Sequence, residues 1–190
     1  MGLPGMRRID HVGFTVPDLD AAHAWLVDVL GAEYLYALGP FAHPDEDDDW
    51  MATHLRVHPR ATMRNQWYRV GGETMFEVFE YSSPDQRDAI PRNSDVGGHH
   101  VALYVDDIDA ALEHLRAHDV EVFDGPTASK GPAEGNRWIY FRAPWGLQME
   151  LVSYPGGKAF DRHGAVETFE TARSSPPQEP LVETTGGSGT

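Results

Sequence analysis

Four residues of this chain have the types and spacing for a divalent-metal site, and the chain places them by repeating itself. His11 opens the segment from His11 to Ala22, and His100 opens the segment from His100 to Ala111; seven of the twelve aligned positions are identical. The closing segments also match, since Thr74 to Tyr81 lies over Leu147 to Tyr154 and sets Glu77 on Glu150 and Tyr81 on Tyr154. Self-similarity at this range marks one module used twice. Two imidazoles and two carboxylates supply nitrogen and oxygen donors, harder than thiolates, and two negative charges to balance a 2+ ion. Such a set would take one divalent metal ion, with Zn, Ni, Co, Mn and Fe all suited to it.

These side chains can meet only if strands aim them the same way. In a strand, successive residues point to opposite faces. Val12, Phe14 and Val16 share one face, and His11, Gly13 and Thr15 the other. The same parity sets His100, Ala102 and Tyr104 opposite Val101, Leu103 and Val105, and Gln148, Glu150 and Val152 opposite Leu147, Met149 and Leu151. Each shared polar residue therefore faces away from the apolar side, into the concavity of the sheet. Trp138 and Tyr140 share a face as well, and with Tyr104 they are candidates for a substrate-binding wall. His99 falls on the apolar parity and is set aside in favour of His100.

The elements between follow from periodicity and punctuation. The residues from Arg7 to Val16 alternate as a strand, Asp18 can cap a helix carrying Leu19, Ala22, Trp25 or Leu26, and Val29 or Leu30, and Gly31 suits its end. Strands follow at 33–38, 66–70 and 74–81. In the second copy a strand at 100–105 leads to a helix capped by Asp106 or Asp107, then to strands at 120–123, 136–142 and 147–154. Each copy reads β-α-β-β-β. The expected organisation is a flexible arm at 1–6, a first module at 7–81 with an insert at 39–65, a connector at 82–97, a second module at 98–154, and a tail at 155–190 expected to be largely disordered. The insert carries the acidic run Asp45 to Asp49, His43, His54 and His58, and the cluster Arg56, Arg60 and Arg64. Those arginines either balance the acidic run or form a lid over an anionic or hydroxyl-rich substrate.

Composition narrows the partners. With 15 basic against 30 acidic residues the formal charge is −15, which argues against a nucleic-acid partner and mildly against a polyanionic ligand such as a coenzyme A ester. No run of 18 apolar residues and no secretory leader is present, so no membrane partner is expected. There is no cysteine, which excludes disulfides and thiolate chemistry and fits a cytoplasmic location. A small-molecule substrate and a homodimeric assembly are expected.

The segments from Asp10 to Val16, His100 to Val105 and Pro144 to Leu151 resemble the vicinal oxygen chelate superfamily, which includes glyoxalase I, methylmalonyl-CoA epimerase, extradiol dioxygenases and bleomycin-resistance proteins. The resemblance covers about Arg7 to Tyr154. It implies an α+β fold in which two tandem βαβββ modules form an open, barrel-like mixed sheet around one metal, with helices on the outer face. It implies His11, Glu77, His100 and Glu150 as metal ligands, with Glu77 and Glu150 as catalytic base and acid. The long excursion before the third strand is similar to the epimerase branch, including its cyclitol-epimerase members. The activity implied is metal-dependent epimerisation or isomerisation by proton abstraction next to a carbonyl, through an enediolate, on a small hydroxy-ketone or acyl thioester. Three other activities found among such proteins are carried as alternatives: a glyoxalase I-type lyase, an Fe(II) extradiol dioxygenase, and a small-molecule-binding resistance protein.

Overall fold

The computed structural model describes residues 3–42 and 49–163. Two open mixed sheets are built on one plan. In the first, β1 (His11–Thr15), α1 (Leu19–Asp28), β2 (Glu33–Phe41), β3 (Thr62–Val70) and β4 (Thr74–Ser82) give the strand order β1-β4-β3-β2. In the second, β5 (Val101–Tyr104) and α2 (Ile108–Ala117) precede the short β6 (Glu121–Val122) and β7 (Thr127–Ala128), then β8 (Arg137–Arg142) and β9 (Gln148–Ser153). Its order is β5-β9-β8-β6, with β7 also pairing β8. In each sheet the first strand lies parallel to the last and the remaining pairs are antiparallel. Neither sheet closes into a barrel. The α+β class and the open, barrel-like character of the fold are as expected.

Local chemistry starts each helix. The carboxylate of Asp18 accepts from the backbone N–H groups of Asp20 and Ala21, and that of Asp107 accepts from Asp109 and Ala110, so Asp107 is the cap and Asp106 is not. Such a cap contributes about 1 kcal/mol. The apolar stripes of both helices then enter one continuous core. Leu19 and Leu26 from α1, Ile108 and Leu112 from α2, and Phe76, Val78, Phe141 and Met149 from the sheets are buried in it. Each fully buried side chain of this size stabilises the fold by about 1.5–3 kcal/mol. Across the two modules Trp145 stacks on Phe14 at 5.9 Å and meets Trp25 edge-on at 5.2 Å, while the His114 imidazole lies 2.8 Å from the Val29 carbonyl oxygen.

The repeat extends to the ion pairs that tie helix to sheet. Arg64 on β3 binds Asp20 at the start of α1, and Arg137 on β8 binds Asp109 at the start of α2. The first module adds Glu80, which accepts from Arg64 and from the Leu19 backbone N–H; the Arg64 guanidinium holds its carboxyl below the usual range. Ser153 stands at the equivalent place in the second module and donates to the Asp106 carbonyl.

Several boundaries differ from the sequence reading. β1 begins at His11, because Arg7 to Asp10 have no partner strand to pair with. β2 runs on to Phe41 and β3 starts at Thr62, so pairing in register shortens the excursion between them to 42–61. A single π-helical turn, Met51–Leu55, sits inside it despite Pro59, pinned by fully buried Met51. Beyond Pro155 a short helix α3 (Ala159–His163) forms. The expectations for His43, for the acidic run from Asp45 to Asp48, and for the tail at 164–190 lie outside the described residues. Among those described, no helix is long and apolar enough to cross a membrane.

Candidate functional site

The two histidines and two glutamates meet in pairs, one on each sheet. Parallel pairing sets Gly13 beside Glu77 and Ala102 beside Glu150, so His11 and His100 each lie two residues back and reach their carboxylate diagonally. His11 Nε2 is 3.3 Å from Glu77 Oε2, and His100 Nε2 is 3.0 Å from Glu150 Oε2. The small residues Gly13 and Ala102 leave that diagonal open. An aromatic edge braces each imidazole: Trp67 at 4.8 Å from His11, Tyr140 at 5.1 Å from His100. Both carboxylates are largely shielded, with 17% and 13% of the side-chain surface exposed for Glu77 and Glu150. The structure does not gather the two pairs into one cluster: among the described residues, no group of three or more His, Asp or Glu side chains is arranged to hold a metal.

Around Glu77 the surroundings are specific. The Asn65 amide donates to Glu77 Oε1 at 2.7 Å, and Asp10 Oδ2 lies 3.0 Å from His11 Nδ1. A carboxylate on the far ring nitrogen orients the imidazole and raises its basicity as a ligand. Burial pushes the Glu77 carboxyl above its usual range, against the pull of His11 and the Asn65 amide. Burial also raises the Tyr140 phenol, with the Glu150 charge adding to the effect.

The chemistry of these residues fits a divalent ion. Imidazole nitrogen and carboxylate oxygen stand side by side in both pairs, the donor types such an ion takes. Beside the first pair, Asn65 Oδ1 and Trp67 Nε1 are buried without a hydrogen-bond partner. A buried polar atom without a partner costs about 1–3 kcal/mol, which a bound ligand or its hydration would offset.

The other sequence candidates are more scattered. Trp138 and Tyr140 pack together at 5.3 Å on the His100 face. Tyr104 is half exposed at the end of β5 and packs edge-on against Tyr154 at 4.7 Å. His99 turns to the Gly97 carbonyl and lines a separate cavity of about 410 Å³ with Trp145 and Leu147. His54 stacks on Trp50 at 4.7 Å and is exposed. Arg64 belongs to no lid, because parity turns it to the helix side, where Asp20 and Glu80 hold it. Arg56 and His58 line a cavity of about 590 Å³ next to Thr15 and Tyr81. Asn65, Trp67 and Asp10 were not anticipated. Asn65 falls in the stretch read as insert, yet it alternates with Trp67 and continues the β3 pattern two residues toward the N-terminus.

Comparison with known proteins points the same way. A profile of the Glyoxalase/Bleomycin resistance protein/Dioxygenase superfamily matches residues 10–141. A 2-epi-5-epi-valiolone epimerase from Actinomyces sp. is 46% identical over 171 residues, covering 89% of this chain and 91% of the relative. The uncharacterised protein YaeR from Escherichia coli K12 is 26% identical over 147 residues, covering 77% of this chain and 96% of YaeR. Among solved structures, a glyoxalase family protein from Bacillus cereus superposes with a TM-score of 0.61 at 18% identity, covering 80% of this chain and 97% of its own. The fosfomycin resistance protein FosX from Listeria monocytogenes, solved with Mn(II) and sulfate, gives 0.52 at 18% identity, covering 83% and 98%. The profile match over most of both modules, the near-full-length relative and the repeated βαβββ plan lead to one conclusion: this chain belongs to the glyoxalase/bleomycin resistance protein/dioxygenase superfamily.

Proposed function

We propose that this protein is a divalent-metal-dependent epimerase that inverts a stereocentre next to the carbonyl of a hydroxylated cyclic ketone, with 2-epi-5-epi-valiolone as the substrate to try first. The observation that carries this reading is the 46% identity to a 2-epi-5-epi-valiolone epimerase across 89% of the chain. The paired His and Glu residues give it a chemical rationale.

In this reading His11, Glu77, His100 and Glu150 would hold the ion once the two pairs, which this structure keeps apart, meet at one centre. A bound divalent ion would act as a Lewis acid toward neighbouring oxygens of the substrate and make the adjacent C–H more acidic. Inverting that carbon then requires a proton to leave one face and another to arrive on the opposite face. One mobile base or two opposed ones can do this. Glu77 and Glu150 come from different modules, which suits opposed roles. Glu77 is the better suited to exchange a proton, because its burial favours the neutral form and the Asn65 amide holds one oxygen so that the other is left to react. The aromatic residues Trp67 and Tyr140 wall one side of the two imidazoles. The reading includes a homodimer, checked by sedimentation.

The test is a reaction in D₂O with metal-loaded enzyme, followed by proton NMR. Incorporation of deuterium at the carbon next to the carbonyl, together with the appearance of the second epimer, is expected. Loaded enzyme that leaves 2-epi-5-epi-valiolone unexchanged and unepimerised would overturn the assignment to this substrate.

A further inference from the structure

We propose that the cavity beside Tyr81 holds the hydroxyl-bearing end of the substrate, with Arg56, His58, Tyr81 and Arg87 as its hydrogen-bonding residues; the proposal rests on the epimerase reading above. The argument begins on β4, where Glu77, Phe79 and Tyr81 are consecutive residues on one face of the sheet. At about 3.3 Å of rise per residue, Tyr81 Cα lies about 13 Å from that of Glu77. Phe79 lies between them, stacked on Tyr81 at 5.6 Å. It leans over Gly13, where an added Cβ would come within 3.4 Å of its ring. An aromatic floor thus runs from the Glu77 carboxylate to the Tyr81 phenol.

At the far end the cavity measures about 590 Å³, enough for a small sugar-sized molecule. Its lining is rich in donors. Arg64, Arg69, Arg137 and Arg142 are spent in ion pairs, but Arg56 and Arg87 make none among the described residues. Arg56 is held in place: its backbone is left-handed (φ 59°) and its N–H closes the π-helical turn onto the carbonyl of buried Met51. A non-glycine residue held in this conformation is uncommon and costs energy. His58 accepts the Arg60 backbone N–H on Nδ1 at 3.0 Å, which puts its own proton on Nε2, the free donor. The one carboxylate in the lining, Asp85, takes the Ser83 hydroxyl at 2.6 Å and retains acceptor capacity. Several donors around one acceptor match a row of hydroxyls, each of which accepts and donates. A simple oxyanion has no proton to donate to Asp85, whereas a hydroxyl has.

The experiment compares the metal-loaded wild type with Tyr81→Phe, Arg56→Ala and Arg87→Ala on two ketones. The first is 2-epi-5-epi-valiolone; the second is 2-hydroxycyclohexanone, which keeps the carbonyl and its neighbouring hydroxyl but has nothing to fill the cavity. Exchange in D₂O gives kcat and KM for each. Every variant should lose about 5- to 10-fold in kcat/KM on the first ketone, mainly through KM, and less than about 2-fold on the second. Equal losses on both ketones, or none on either, would overturn the proposal while leaving the epimerase reading standing. If the wild type exchanges neither ketone, the epimerase reading fails instead. The cavity is then judged by calorimetric binding of 2-epi-5-epi-valiolone to the zinc-loaded protein. A Kd weakened about 5- to 10-fold in Tyr81→Phe and Arg56→Ala upholds it, and an unchanged Kd or no binding refutes it.

Discussion

The two modules hold the same His–Glu pair in different company. In the first, Asn65 donates to Glu77, Asp10 braces His11 and Trp67 closes the edge. In the second, strand register puts Trp138 where Asn65 stands and Tyr140 where Trp67 stands, and His99 takes the place of Asp10 but turns away to Gly97. The pair itself is almost unchanged, at 3.3 and 3.0 Å. The pair therefore needs only the parallel register and the strand parity, which duplication copies wholesale. The chemistry of each carboxylate depends on its neighbours, and there the copies have diverged. We propose proton exchange by Glu77 and metal anchoring chiefly by Glu150 on this difference.

The sharpest way to break the comparison is to remove one imidazole at a time. If both pairs serve one centre, His11→Ala and His100→Ala should each lose bound metal and lower activity by about 10³-fold or more, with far-UV circular dichroism unchanged. Metal analysis that finds one variant fully loaded and active would mean that only a single pair binds. Next, Glu77→Gln should lower kcat by about 10²–10⁴-fold at saturating metal, whereas Glu150→Gln should first show itself as weaker metal affinity. Identical behaviour in the two glutamine variants would erase the proposed division of roles.

Smaller effects sharpen the same contrast. Asn65→Ala removes a donor that favours ionised Glu77, so burial acts with less opposition and the carboxyl titrates higher. The basic form then appears later, so the ascending limb of the pH–rate profile moves to higher pH and kcat falls by about 10-fold at neutral pH. Trp138→Phe, at the matching position, should leave that limb in place. Last, Glu80→Gln should cost about 1 kcal/mol, while Asp109→Asn in the simpler ion pair of the second module should cost less. Because the Glu80 carboxyl is held low in the folded protein, its contribution is present above the ordinary carboxylate range and is lost as pH falls through the depressed value. Urea titrations at neutral and acid pH check both variants. The difference between wild type and Glu80→Gln should shrink on acidification.

What could be read from the chain alone is what repeats with a short period. Alternation of two set the faces of β1, β5 and β9 that carry His11, His100 and Glu150, and the internal repeat then laid Glu77 over Glu150. Asp18 announced its helix for a local reason, since a cap bonds N–H groups two and three residues away. The repeat also carried Asp20 onto Asp109, whereas the match of Arg64 to Arg137 emerged only from the paired strands. Yet Arg64 was grouped with Arg56 and Arg60 as lid material, because proximity in sequence was the only guide.

Tertiary structure alone decided the partners. Asn65 reaches Glu77 from a strand whose start looked like insert, and only pairing of β3 with β4 makes it a strand. Arg56 and Arg87 come to one cavity from separate loops. Duplication preserves a pattern along the strand but not what faces it across the sheet or over its rim. Those contacts depend on register and loop closure, which many sequences satisfy in many ways. The chain therefore named its candidate ligands, and the fold selected which carboxylate meets an amide, which arginines make no ion pair among the described residues, and where a substrate could lie.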